Sequence, residues 1–207
     1  MFREYQTHSS LLRKIAFLSA FAALLTVHPQ PARAITLASK GGGVVVSGSI
    51  KPGDHIEFRE FIASANPRFI ELNSTGGNVN AAGEMGRMIR AKNLPTVVDA
   101  SKSSCGSACT ILFAAGTSRH DVGAEKIQDR VGDTKQRGLG YHEGNNFLAN
   151  GRKGQSGAVT GQVIDFYYEF GSGKASSLIT RADWKHFYYI STATALELGL
   201  ATSAKRP

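Results

Sequence analysis

The sequence predicts an α/β fold in which βαβ units pack around a mostly parallel sheet. Two observations predict it. Short β-branched runs alternate three times with segments whose apolar residues recur at helical spacing, and the passages from strand to helix run through glycine and other small residues. At 207 residues the chain is long enough for one domain with a real core. Two domains are not expected.

Residues 1–34 stand apart from that alternation. Arg3, Arg13 and Lys14 precede the apolar run IAFLSAFAALLTV (15–27), and Ala32 and Ala34 have the small-x-small spacing of a secretory cleavage site. The run is too short to cross a bilayer comfortably, since a spanning helix needs about 20 residues. The expectation is a signal peptide over 1–34, cut after Ala34, with an uncleaved N-terminal membrane anchor as the alternative. Residues 35–207 then form one exported domain, periplasmic or secreted. The leader holds four cations and Glu4, so the chain's net charge of +8 falls to +5 beyond it. Lys and Arg are spread without a dense run or interleaved aromatics, and no nucleic-acid partner is expected.

The elements follow in order. VVVSGSI (44–50) is a short β-branched strand. KPGDHIEFREFIASANP carries Ile56, Phe58, Phe61 and Ile62 at roughly helical spacing and stops at Asn66-Pro67. RFIELN (68–73) is a second strand. NVNAAGEMGRMIRAKN (78–93) repeats the helical pattern through Val79, Ala82, Met85, Met88 and Ile89, and TVVDA (96–100) is a third strand. HDVGAEKIQDRVGDTKQR (120–137) is polar and reads as a surface loop.

In parallel sheets with right-handed crossovers, reactive groups gather where a strand's carboxyl end hands over to the next helix. Two handovers are chemically unusual: ELNSTGGNVN passes through Gly76-Gly77, and ASKSSCGSACTILFAAG through Gly106-Ser107-Ala108. A tight glycine turn points backbone N–H groups into open space, and a serine at the next corner stands out of the sheet beside its neighbour's N–H. Together they can form a nucleophile and an oxyanion hole; the same serine can also simply cap the helix.

Three spacings link these corners: NSTGG, a serine between small residues thirty positions after Gly77, and the glycine of FAAG nine positions later. With VSGSI near the start and STATALELGLAT (191–202) near the end, this ordered set resembles the Clp protease proteolytic subunit within the Clp-crotonase fold family. The resemblance spans about residues 44–202, and the two cysteines around the serine resemble the exported branch of that family. It implies a Clp-crotonase-like spiral of βαβ units and an exported serine hydrolase, a peptidase. Ser107 would be the nucleophile, and the N–H groups of Gly77 and Ala108 the oxyanion hole. His142 of GLGYHEG (138–144) would be the base, although His55, His120 and His186 compete on sequence alone.

Counting back from Gly199, the family's orienting aspartate falls at Phe187, which cannot serve. The nearest carboxylate, Asp183, is the expected third member; with Thr180 it also has the spacing of a capping box. Glu143 and Asp165 are weaker candidates. The resemblance further implies a peptide or protein substrate and a homo-oligomer. An ATPase partner is not expected, because exported compartments lack ATP. No cofactor or metal is expected, since no C-x-x-C or H-x-x-x-H pair occurs.

An oxidising compartment favours a Cys105–Cys109 disulfide. Positions i and i+4 of a regular helix are too far apart for an unstrained bridge, so Cys105 must precede the helix. The alternative is two small buried hydrophobes. Two other functions stay open. One is a Ser-Lys peptidase like the related signal peptide peptidases, with Lys126 or Lys135 as base; the other is a catalytically inactive crotonase-like binding module.

Overall fold

The computed structural model describes residues 35–207. The expected signal peptide lies outside the described residues. The sequence-predicted alternation appears as β2 (Gly43–Ser47), α1 (Asp54–Ala65), β3 (Ile70–Asn73), α2 (Val79–Ala91) and β4 (Thr96–Asp99), preceded by an unpredicted strand β1 (Thr36–Lys40). β1 is mostly exposed and runs antiparallel along β2, so it carries no apolar signature of its own. Next come β5 (Ser104–Gly106), α3 (Cys109–Ala115), β6 (Arg119–Val122), β7 (Arg130–Gly132) and β8 (Gly138–Tyr141). The hairpin strands β9 (Asn145–Phe147) and β10 (Lys153–Gln155), then α4 (Gly157–Glu169), α5 (Ser176–Ile179), β11 (Phe187–Ile190) and α6 (Thr192–Glu197) complete the chain.

The main sheet has the order β1-β2-β3-β4-β6, and β2 through β6 are parallel. Its strands read as continuous apolar runs because both faces are covered: Val44, Val46, Ile70, Leu72, Val97 and Val98 are fully buried. Phe58 and Ile62 of α1, Met85 and Ile89 of α2, and Ile111 and Leu112 of α3 pack into the same core. Ile56, expected on the apolar face of α1, is 48% exposed instead. A second, mixed sheet has the order β5-β8-β11-β7. The fold is thus α/β with a mostly parallel main sheet.

One expectation is corrected. The polar stretch 120–137 does not begin as a surface loop: Arg119–Val122 form β6, parallel to β4, with His120 and Asp121 buried. The C-terminal segment covers this edge through a bridge from Ser203 to His120 and a bond from the Asp121 N–H to the Ser203 carbonyl. Burial here comes from a segment more than eighty residues away, which local polarity cannot reveal. Among the described residues, no helix is long and apolar enough to cross a membrane.

Candidate active site

The two glycine corners are tied to each other by backbone. Ser74 bridges Cys105: its N–H donates to the Ser104 carbonyl at 2.8 Å, and its carbonyl accepts the Gly106 N–H at 3.0 Å. The Ser74 hydroxyl accepts the Gly76 N–H and tightens the first corner. A Cβ on Gly76 would lie 2.7 Å from the Ser107 Cβ, so only glycine lets the corners approach this closely. Gly77 bridges Ile50, whose backbone accepts the Asn78 N–H and donates to the Gly76 carbonyl, both at 2.9 Å. In this parallel bridge the Gly77 N–H points away from Ile50, and the residue lines the cleft.

Ser107 sits between β5 and α3 at φ +53°, a left-handed conformation that non-glycine residues adopt only when their surroundings impose it. The surroundings do so. Its N–H donates to the Gly140 carbonyl of β8 at 3.0 Å, and its carbonyl accepts the N–H and hydroxyl of Thr110. A Cys105–Cys109 disulfide spans the corner, with Cys105 in β5 ahead of the helix. The side chain of Ser107 therefore stands out of the sheet, and it is not the N-cap of α3. The N–H groups of Ala108 and Gly77 have no acceptor among the described residues.

His142 follows β8. It lines with Ser107 and Gly77 both a cavity of about 250 Å³ and a larger cleft of about 560 Å³. Its Nδ1 lies 3.1 Å from the Trp184 carbonyl, and its ring packs on Phe187 with centroids 4.8 Å apart. A carbonyl accepts only, so Nδ1 carries the proton and Nε2 keeps its lone pair. His142 is 8% exposed. Burial pushes its imidazole down to about 4, outweighing the Trp184 carbonyl and the distant Asp183 charge, so the ring is neutral at ordinary pH.

Asp183 does not occupy the third position. Its carboxylate is exposed and accepts from His186 Nδ1 at 2.8 Å and from the N–H groups of Lys185 and His186. A short side chain that caps its own turn cannot also turn inward. Phe187, where the resemblance would have an aspartate, packs against the His142 ring at a tilt of 58° and offers it no hydrogen bond. Glu143 and Asp165 do not line the cavities. Nor do the rival histidines: His120 bonds Ser118 and the Lys205 carbonyl, His186 bonds Asp183, and His55 lies in α1. Lys135 lines the larger cleft, whereas Lys126 lines a separate one. Among the described residues no group of three or more His, Cys, Asp or Glu side chains gathers as metal ligands.

Sequence reasoning missed the Trp184 carbonyl, because a backbone acceptor has no residue type to recognise. It also missed Ile50, which holds Gly77 by backbone alone.

No family model and no curated protein matches the chain. Among solved structures it is similar to the 1510-N membrane-bound stomatin-specific protease, as a lysine-to-alanine variant in complex with a substrate peptide and as a serine-to-alanine variant. Each has a TM-score of 0.54 and 17% identity and covers 79% of this chain; the match covers 74% of the first and 78% of the second. At that identity the likeness shows the fold alone, an α/β fold with a mostly parallel sheet, and not the chemistry.

Proposed function

We propose that this protein is an exported serine peptidase in which Ser107 attacks a peptide carbonyl, His142 takes its proton, and the N–H groups of Gly77 and Ala108 receive the oxyanion. The observation that carries the reading is one cleft lined by a strained corner serine, a neutral imidazole and Gly77, whose N–H is unspent. His142 Nε2 accepts the serine proton as Oγ bonds to the carbonyl carbon, and the resulting imidazolium returns that proton to the leaving amine. The Trp184 carbonyl holds the tautomer in place of a carboxylate. It carries less charge than a carboxylate and stabilises the imidazolium less, so a slow peptidase is expected. The fold likeness to a protease solved with a substrate peptide supports the peptide substrate, and the leader-like residues 1–34 support export. A homo-oligomer remains part of this proposal on the Clp resemblance alone.

The test is labelling with a neutral fluorophosphonate and mapping of the modified peptide. Label on Ser107, abolished in Ser107→Ala with the circular-dichroism spectrum unchanged, is the expected result. Label elsewhere, or none, refutes the assignment. A second reading uses Lys135 as base, supported by its place in the Ser107 cleft and by the lysine variant of the solved neighbour. This reading needs a lysine enclosed away from water, and Lys135 is exposed. Loss of neutral-ester hydrolysis in Lys135→Gln, with full activity in His142→Gln, would replace the histidine reading by this one.

A further inference from the structure

The larger cleft beside Ser107 carries cations and no acid. Lys135 and Lys153 line it, no Asp or Glu does, and neither ammonium forms an ion pair among the described residues. Both are placed by structure. The loop of Lys135 is tied down by the Tyr189 hydroxyl donating to the carbonyls of Asp133 and Gln136, and the Ser104 hydroxyl also donates to Gln136. The Asp133 carboxylate is engaged by the Lys135 backbone N–H at 2.9 Å. Lys153 stands on β10 with its ammonium 5.7 Å from the Phe147 ring centroid. The smaller cavity is mixed: Val79, Val159 and Val163 line it beside the amides of Asn78, Asn80 and Gln162, and it holds no charged side chain.

From these two unpaired cations we infer that the substrate is an acidic peptide, with a carboxylate against Lys135 and Lys153 in the larger cleft. The inference rests on the peptidase reading and names its substrate class. Matched quenched peptides carrying Glu, Gln or Lys near one apolar residue test it. Expected is a kcat/KM order of Glu over Gln over Lys, roughly fivefold per contact and fading at 1 M salt. Lys135→Gln with Lys153→Gln should bring the Glu-to-Gln ratio to about one. Fluorophosphonate labelling of Ser107 without that order overturns the inference and leaves the peptidase reading standing. Absence of both labelling and cleavage overturns the two together.

A different observation carries a second inference. The Ile35 backbone nitrogen is buried and donates to Asp54 Oδ2 at 3.2 Å, and the same oxygen accepts the Lys51 N–H at 2.6 Å. Both Ile35 and Asp54 are 5% exposed, and no side-chain cation pairs with Asp54 among the described residues. The Lys51 N–H belongs to the same peptide plane as the Ile50 carbonyl, which holds the Asn78 N–H beside Gly77. A Cβ on Gly77 would come 2.1 Å from that carbonyl oxygen, so the plane and the glycine corner lie in direct contact.

We propose that hydrolysis of the Ala34–Ile35 bond by a leader peptidase, with water supplying the oxygen of the Ala34 carboxylate that departs and the proton on nitrogen, turns the Ile35 amide nitrogen into an ammonium whose ion pair with Asp54 fixes this peptide plane, making the new N-terminus a positioning group for the Gly77 N–H on the peptidase reading. A buried carboxylate otherwise without a counter-charge gains one only on processing. The experiment starts with the N-terminus of the exported protein, expected at Ile35; any other start overturns the proposal. An alanine inserted between Ala34 and Ile35, with the cleavage signal kept ahead of it, displaces the ammonium by one residue. That insertion and Asp54→Asn should each slow Ser107 labelling about five- to hundredfold, and together no further, as expected of one coupled pair. Asp54→Glu restoring part of the rate would separate charge from packing. The thermal midpoint, which needs no catalysis, should fall in the same non-additive way. Additive losses, or no loss, overturn it.

Discussion

His142 is the residue whose environment most changes its chemistry. An exposed imidazole would lose its proton near 6.5, whereas this one, pushed down to about 4 by burial, stays unprotonated well below neutrality. Hydrolysis of a neutral ester should therefore rise through pH about 4–5 and stay level from 6 to 8. A midpoint near 6.5 would show that the ring is solvated. The same depression bears on stability. Between those two values the unfolded imidazole takes up a proton that the folded one refuses, so stability falls as pH drops from about 6.5 to 4, by roughly 1.4 kcal/mol per unit at most. Replacing His142 by Gln should cost about 10² to 10⁴ in rate, the usual share of a general base. Asp183→Asn should change the rate less than about threefold, because an exposed carboxylate acts on the ring only through solvent-screened Coulomb forces. Stopped-flow rates across pH for the three proteins decide both points.

Strand β6 shows what an element can hide. Asp121 lies on it fully buried, with neither carboxylate oxygen hydrogen-bonded, since the Thr192 hydroxyl reaches only its backbone carbonyl. Burial pushes the carboxyl up to about 7. A raised carboxyl favours folding below its unfolded value near 4, and that advantage is lost as pH climbs through 7. Asp121→Asn removes the charge while keeping the shape, so the unfolding free energy from urea titration at pH 8 should rise by about 1 to 3 kcal/mol and match the parent near pH 4. A parent profile flat from pH 4 to 8 would show that the carboxylate has a partner. The β-branched strands β2, β3 and β4 were readable because burial on both faces demands apolar runs. β6 was not readable, because its cover arrives from the C-terminal segment.

Across the whole molecule, the end of the chain latches onto the main sheet. Arg206 reaches both oxygens of Glu71 at 3.0 and 3.2 Å and Asp99 at 2.9 Å, and Lys102 completes the cluster. Burial opposes ionisation of both acids. For Asp99 the Ser101 hydroxyl and Arg206 outweigh it, and for Glu71 Arg206 and Lys102 do, so both stay below the usual carboxylate range. Stability from this cluster is present above pH 4 and lost as pH falls further. Arg206→Ala leaves two nearly buried carboxylates with Lys102 alone, and a loss of about 1 to 3 kcal/mol in urea unfolding is expected. An unchanged midpoint would mean that the latch is solvated and idle.

What the sequence determined by itself is the alternation, the two glycine corners and the serine that stands at one of them. Those are local properties: residue size, β-branching and the freedom of glycine act within a few positions along the chain. Tertiary structure alone decided how the corners meet through Ser74 and Cys105, which histidine lines a cleft with Ser107, and that a backbone carbonyl rather than Asp183 holds its ring. Each of these joins segments thirty or more residues apart. A sequence records which groups are present, but a hydrogen bond depends on the distance and direction between them, and those are set only when the sheets and helices pack.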